Sequence, residues 1–291
     1  MNPLRALIQS PGIHAAPAVY DCLGALCAQR AGFRLLFTSG YGIAASRLGK
    51  PDLGYLTATE MVDAAGRIAA CVDIPVIADI DTGYGNALNV IRTVEDIART
   101  GVAGILLEDQ RWPKRCGHFE GKRLIDAAEH AAKIRAARHA AGASGLVIVA
   151  RTDARAVEGL DAALERGARY LDAGADVLFV EAPQSRAELA EIARRFPGVP
   201  LMANIIEGGK TPNLTTAELD AMGYKLVAFA LSGLFAAAQA IADCFSILAR
   251  DGATASLRTE LDFEGFKALI GMDRHLELEQ RFATAAAPPA D

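Results

Sequence analysis

Four carboxylates and one thiol define the chemistry open to this chain. Asp79 and Asp81 close the apolar run Pro75–Ile80, two residues apart, a spacing that on an extended strand turns both to one side. Glu108 ends the next apolar run, Gly104–Glu108, and Asp52 lies in the segment KPDLGY. Carboxylates this close repel one another unless a cation or a shared proton joins them. All-oxygen ligation suits Mg²⁺ or Mn²⁺, and zinc does not fit: there is no H-x-H pair, and His118 is the only histidine near these acids in sequence. The competing role for Asp79 and Asp81 is capping of the helix that follows.

The run Lys114-Arg115-Cys116-Gly117-His118 is the sharpest local motif. A thiol flanked by Lys, Arg and His is expected to be acidified. Gly117 lets the segment bend, and Phe119-Glu120-Gly121-Lys122 reads as a polar, mobile continuation. Together they predict a lid that carries an acid over a metal site and excludes water. Cys116 and His118 are the proton-transfer candidates, with Lys114 beside them; the alternative for His118 is a plain hydrogen-bond partner. Arg151 ends another run, where a guanidinium either clamps a carboxylate or pairs internally with Glu181 or Asp153. Ser39-Gly40-Tyr41 offers a hydroxyl followed by backbone N–H groups, either a seat for a carboxylate or oxyanion or an ordinary turn. Glu181 and Asn204 end two further runs. Six strands finishing on polar side chains is a pattern of ligands and anchors.

Positioning such residues takes a repeating scaffold, and the sequence supplies one. Eight apolar runs (Ala15–Tyr20, Leu35–Ser39, Pro75–Ile80, Gly104–Glu108, Leu146–Arg151, Val177–Glu181, Pro200–Asn204, Lys225–Ala230) alternate with segments of helical period. Those segments include Thr59–Cys71, Ala87–Thr100, Ala127–Ala141, Gly159–Ala173, Ser185–Phe196 and Thr215–Met222, with Gly101, Gly174 and Gly223 suited to left-handed C-terminal caps. Strands apolar on both faces imply a parallel sheet covered by helices, and eight units predict a (β/α)8 barrel. An open doubly wound sheet is disfavoured: no G-x-G-x-x-G follows the first run, and Gly83-Tyr84-Gly85 has Leu88 where the last glycine belongs. Residues 1–13 predict an amphipathic opening helix with Leu4, Leu7 and Ile8 on one side. An extension over about 234–282 predicts helices at Leu234–Arg250 and Asp262–Arg281. Its apolar residues Phe245, Ile247, Leu248, Phe263, Phe266, Leu269 and Ile270 need burial, under the barrel or on a neighbouring subunit. The whole chain 1–291 reads as one barrel domain with that extension and a disordered tail, AAAPPAD.

Composition narrows the classes. With 30 Lys and Arg against 35 Asp and Glu, the net charge of −5 gives no phosphate-binding surface and no reason to expect nucleic acid. No apolar run reads as long enough for a bilayer, and MNPLRALIQS lacks a signal-peptide core, so a cytoplasmic protein is expected. The five cysteines form no CxxC and are expected as free thiols, mostly small core residues. The absence of G-x-S-x-G and of a Walker loop argues against serine hydrolysis and nucleotide hydrolysis.

Taken together, SGYGIAASRLGKPDLGYLT, ADIDTGYGNALNV, EDQ followed by KRCGH, ARTDA and ANIIEGGKTP resemble the isocitrate lyase and phosphoenolpyruvate mutase superfamily over nearly the whole chain. The KRCGH cysteine marks the carbon–carbon lyases of that superfamily, and KRCGHFEGK with NIIEGGKTP is most similar to the short-chain 2-methylisocitrate and 2,3-dimethylmalate lyases, petal-death-type proteins included. The resemblance implies Mg²⁺ held directly by Asp79, with Asp52, Asp81 and Glu108 holding its waters. It implies Ser39, Gly40 and Tyr41 seating a 2-oxo acid carboxylate, Arg151 and Gly117 beside the substrate, Glu181 and Asn204 on the departing acid, and Cys116 as general acid. It also implies a homotetramer, a dimer of dimers with swapped C-terminal helices. Phe37 stands where some methylisocitrate lyases carry a tyrosine, which points away from that substrate. The expected reaction is cleavage of a 2-hydroxy di- or tricarboxylate to a 2-oxo acid and a dicarboxylate. A 2-oxo acid decarboxylase or hydrolase, or a phosphonopyruvate-type enzyme, on the same barrel is the alternative, and a non-catalytic binding barrel is the rival from another class.

Overall fold

The computed structural model describes residues 2–283. The tail 285–291, expected to be disordered, lies outside the described residues. Eight parallel strands close on themselves: β1 His14–Val19, β2 Leu36–Thr38, β3 Val76–Asp79, β4 Gly104–Glu108, β5 Val147–Thr152, β6 Val177–Val180, β7 Leu201–Ile205 and β8 Leu226–Phe229. Each pairs with its neighbour in sequence, and β8 returns to β1 with His14 opposite Leu226 and Pro17 opposite Phe229. The (β/α)8 barrel is therefore the fold, as the eight runs predicted.

The strands read as continuous apolar runs because both faces are covered. One set of alternate side chains fills the barrel, among them Phe37, Ile77, Leu106, Val149, Phe179, Met202 and Leu226. The other set, including Ala78, Ile80, Ile105, Leu107, Ile148 and Ala150, packs against the surrounding helices. The opening helix is Pro3–Gln9, and Leu4 and Leu7 join the interior cluster as its floor. Gly104, the first residue of β4, makes room for this, since a Cβ there would lie 2.7 Å from Leu4 Cδ2. Leu4→Ala should therefore destabilise the protein by about 2–5 kcal/mol through the cavity it leaves. Urea denaturation measures this, and a loss under about 1 kcal/mol would show that Leu4 is not part of the core.

Helix boundaries follow local chemistry. Thr57 with Glu60 and Thr215 with Glu218 form reciprocal capping boxes at the helices Ala58–Ala70 and Thr216–Met222. Gly101, Gly174 and Gly223 all have positive φ, at 87°, 106° and 96°. The helices Cys22–Arg30 and Gly40–Leu48 were not foreseen. Glycine content lowers intrinsic propensity there, and tertiary packing decides: a Cβ at Gly42 would meet the Tyr20 side chain at 2.8 Å, so this helix lies closer to the barrel than any other residue permits.

The chain divides into two compact units, 1–237 and 238–291. The second holds most of the helix Ser232–Asp251, then Phe263–Leu269 and Met272–Phe282. The single helix expected over Asp262–Arg281 is broken, because Gly271 adopts a left-handed φ of 74° and starts the last helix anew. Of the apolar residues that needed burial, Phe245, Leu248, Phe263, Phe266 and Ile270 are exposed in the single chain, Phe245 at 64% and Phe263 at 78%, and Ile247 and Leu269 are half-buried. The membrane expectation also needs correcting. Ser232–Asp251 is long and apolar enough to cross a bilayer, none of it buried. Polar Gln239 and Asp243 interrupt the run as read residue by residue, but not the mean over the helix.

Candidate active site

All the predicted site residues gather at the C-terminal mouth of the barrel. A cavity of about 50 Å³ is lined by Phe37, Ser39, Gly40, Tyr41, Asp52, Asp79, Lys114, Cys116, Gly117, His118, Arg151, Phe179, Glu181 and Asn204 among others. Ser39 is the N-cap of the helix Gly40–Leu48, and its hydroxyl oxygen accepts from the Gly42 N–H at 3.0 Å. The first N–H groups of this nine-residue helix therefore face the mouth, an arrangement suited to a carboxylate.

Asp79 and Asp81 share a side, but not by strand alternation. β3 ends at Asp79, and Asp81 takes a left-handed φ of 48° that returns its side chain to the mouth. The Asp81 N–H donates to Asp79 Oδ1 at 2.9 Å, and the Tyr84 hydroxyl donates to Asp81 Oδ2 at 3.0 Å. The Glu108 N–H donates to the Asp81 carbonyl at 2.9 Å, which sets the third acid beside the second. Burial, and then Asp81, push the Asp79 carboxyl up to about 7.

Arg151 answers its two alternatives together: it faces the cavity and is also ion-paired. Its Nη1 lies 3.2 Å from Glu181 and 3.4 Å from Glu108, while Nε and Nη2 bind Asp153 at 2.9 and 3.0 Å. Arg151 and His118 hold the Glu181 carboxyl down to about 2 against the opposing effect of burial. Asn204 Nδ2 approaches both Glu181 oxygens at 3.4 and 3.5 Å.

The lid is closed over this mouth. The Cys116 N–H donates to the Asp52 carbonyl at 3.2 Å, and the Phe119 ring meets Tyr41 edge-on with centroids 6.2 Å apart. Gln110 holds Arg115 by both its N–H and its carbonyl, at 2.9 and 2.8 Å. His118 Nδ1 accepts from the Lys210 N–H at 2.9 Å, and its Nε2 lies 3.4 Å from Glu181. Gly117 passes so close to Arg151 Nη2 and Glu181 Cγ that a Cβ would meet each at 2.5 Å.

One expectation about the lid fails here. The thiol is not acidified: burial pushes Cys116 up to about 11, with Asp52 and Glu181 adding to the rise. Its neighbours in sequence are not its neighbours in charge, because Lys114 reaches away to Asp52 and Asp81 and Arg115 turns to solvent. Within the polar continuation, Lys122 is buried and bonds the Gly117 carbonyl. The remaining thiols are free, but none is buried in the core and Cys27 is exposed. Asp109, Lys122, Asp153 and Lys210 were not picked out as site residues. ARTDA held Asp153, EGGKTP held Lys210, EDQ held Asp109 and KRCGHFEGK held Lys122, and only a reading of which strand end each follows would have raised them.

The four acids do not form a single nest. Among the described residues no three His, Cys, Asp or Glu side chains stand close enough to hold a metal ion unaided. The Lys114 ammonium sits between Asp52 and Asp81, 2.7 Å from each, and draws them together. The donor set still fits a hard divalent ion. Asp79 lines the cavity and, among the described residues, has no ion-pair partner, and Glu108 Oε1 is buried without a hydrogen bond there. Burial pushes the carboxyls of Asp79 and Glu108 upward, a rise that a divalent cation beside them would relieve.

A closed barrel with clustered oxygen donors and a thiol-bearing lid defines a class of oxygen-rich barrel sites for small acids. Comparison with known proteins identifies the class: the chain belongs to the phosphoenolpyruvate phosphomutase family, whose model matches residues 4–248. It is 42% identical over 282 residues to 2,3-dimethylmalate lyase of Eubacterium barkeri, covering 97% of each chain. It is 47% identical over 282 residues to the chloroplastic carboxyvinyl-carboxyphosphonate phosphorylmutase of Arabidopsis thaliana (95% of this chain, 83% of that one), and 43% identical over 248 residues to 2-methylisocitrate lyase of Bacillus subtilis (85% and 81%). Among solved structures, 2,3-dimethylmalate lyase superposes with a TM-score of 0.92 at 37% identity, over 99% of this chain and 96% of that one. Phosphonopyruvate hydrolase in complex with oxalate and Mg²⁺ superposes with a TM-score of 0.86 at 31% identity, over 96% and 98%.

Proposed function

We propose that the protein is a divalent-metal-dependent carbon–carbon lyase acting on a small 2-hydroxy dicarboxylate of the 2,3-dimethylmalate type. The observation that carries this reading is the half-buried Cys116 thiol, which lines the cavity from a lid closed over the carboxylates of the mouth. A thiol held up near 11 is a proton reservoir at neutral pH, as a general acid must be. The Ser39 hydroxyl and the N–H groups of Gly40 and Tyr41 seat the carboxylate of the 2-oxo acid half. Arg151 orients the substrate, and Glu181 with Asn204 contacts the departing acid. A basic group of the mouth takes the substrate hydroxyl proton, the freed electron pair forms the new carbonyl, the bond between the carbinol carbon and its neighbour breaks, and its electron pair moves onto the departing acid as an enolate. Cys116 Sγ–H then protonates that carbon. Mg²⁺, held by Asp79 with Asp81, Asp52 and Glu108 around it, would lower the cost of ionising the hydroxyl.

The charge count favours a dicarboxylate over a tricarboxylate. Two fixed cations already engaged by acids leave little to neutralise a third carboxylate, and the apolar flank of Phe37, Phe179, Ile206 and Leu231 suits a methyl-bearing fragment. Release of pyruvate, glyoxylate or oxalate is the assay, with Mg²⁺ and 2,3-dimethylmalate, 2-methylisocitrate, oxaloacetate or phosphonopyruvate. Turnover of only the last two would replace the lyase by a hydrolase or decarboxylase. No turnover of any, with ligand binding indifferent to Mg²⁺, would leave a binding barrel.

Asp79 also gives the metal a thermal signature. Its folded-state pKa lies above the ordinary value of 3.8, so its contribution to stability is present below about 4 and is lost as pH rises through about 7. Without divalent ions the thermal midpoint should fall across that window. Millimolar Mg²⁺ should restore it at pH 7.5 and barely change it at pH 4.5. Equal effects at both pH values would place the ion elsewhere.

The same reading makes the protein a cytoplasmic homotetramer, a dimer of dimers that exchange C-terminal helices. The exposed Phe245, Phe263, Phe266 and Ile270 support it, as does an apolar groove of about 420 Å³ lined by Pro17, Leu23, Ala28 and Phe229. Phe245→Asp with Phe263→Asp should shift the mass measured by light scattering from tetramer toward monomer. A monomeric wild type would end this assembly model.

A further inference from the structure

Asp153 is wholly buried and stands where three parts of the site meet. Its two oxygens accept from Arg151 Nε and Nη2, at 2.9 and 3.0 Å, which leaves Nη1 as the guanidinium nitrogen directed at Glu108 and Glu181. The Lys122 ammonium, a lid group, lies 3.7 Å from Asp153 Oδ1 and also donates to the Gly117 carbonyl of the same lid. From the barrel side, the Asp153 N–H donates to Asp109 Oδ1 at 2.9 Å. Asp109 is itself fully buried, and its Oδ2 accepts from the Thr152 hydroxyl at 2.7 Å and the Tyr170 hydroxyl at 2.8 Å. Neither Asp109 nor Asp153 lines the cavity.

A guanidinium gripped through two nitrogens by one carboxylate has its plane fixed by that carboxylate. Aiming Arg151 therefore depends on where Asp153 sits. Asp109 sets that position through the backbone N–H, and Lys122 reaches the same carboxylate from the lid. We propose that Asp153 is a positioning residue that couples lid closure to the aim of Arg151: Asp109 anchors it, and Lys122 engages it when residues 111–124 are closed over the mouth. This rests on the lyase reading only where turnover is used as the readout.

The test is a double-variant cycle of Asp109→Asn and Lys122→Met, with two readouts. The first is kcat and KM on whichever acid the panel identifies. Each single variant should lower kcat at least about tenfold, the order found when a group orienting a functional side chain is removed. The combined loss should match the larger single loss and not the product, because both act through Asp153. Lys122→Arg should recover most of the rate. The second readout is fluorescence of Trp112, the only tryptophan, which lies at the base of the lid 5.6 Å from the Tyr84 ring. Oxalate with Mg²⁺ is the probe. A ligand-dependent change in the wild type that is diminished in both variants supports the coupling even if no substrate in the panel turns over. Multiplicative losses, unchanged kcat in Asp109→Asn, a probe signal equal in all proteins, or no signal in the wild type overturns it. Tyr170→Phe, which removes one donor to Asp109, replaces Asp109→Asn if that variant fails to fold.

Discussion

Gly117→Ala is expected to lower kcat/KM by about a hundredfold or more while leaving the thermal midpoint close to wild type. The backbone here is not in a glycine-only conformation; the constraint is space. A single methyl would stand 2.5 Å from Arg151 Nη2 and from Glu181 Cγ, and 2.7 Å from Glu181 Cδ. Neither partner can swing clear cheaply. Arg151 is held by Asp153, Glu108 and Glu181, and Glu181 is fully buried between Arg151 and Asn204. The lid has fewer ties than the barrel, so it is the part that gives way, and it closes short of the mouth. A displacement of about 1 Å at a catalytic group can cost about a hundredfold in rate. Steady-state kinetics with a parallel melting curve distinguishes this from unfolding. A variant with wild-type kcat would mean that the closed lid is not the working state.

Cys116→Ser should lower kcat by about 10²–10⁴-fold with a much smaller change in KM. Serine keeps the shape and the lid contacts of the backbone N–H, so binding should persist. A hydroxyl, however, gives up its proton far less readily than a thiol. The wild-type profile adds an independent check. A general acid works in its protonated form, and burial pushes this thiol up to about 11. The limb of kcat due to Cys116 should therefore be flat through neutral pH and fall only as pH rises toward about 11. Cleavage by the serine variant at near the original rate would remove Cys116 from the chemistry.

The sequence by itself determined the architecture and most of the residues that gather at the barrel mouth. Strand periodicity is read locally, and eight apolar runs with polar ends suffice for a closed barrel whose mouth collects Ser39, Asp79, Glu108, Arg151, Glu181 and Asn204. Helix ends were equally legible where a glycine follows the last turn, as at Gly101, Gly174 and Gly223, each of which has a positive φ. What failed were inferences that treated sequence neighbours as spatial neighbours. Asp79 and Asp81 share a face through a left-handed residue and not through strand alternation. Lys114 neutralises Asp52 and Asp81 and does nothing to acidify Cys116. The broken C-terminal helix turns on the backbone of Gly271.

Only the tertiary structure decided the upward direction of the thiol's pKa, the close approach of Gly117 and the contacts of Asp153. Each depends on burial or on contact across elements far apart in the chain. The pKa of a buried group is set by everything packed around it, and no window of sequence contains that environment.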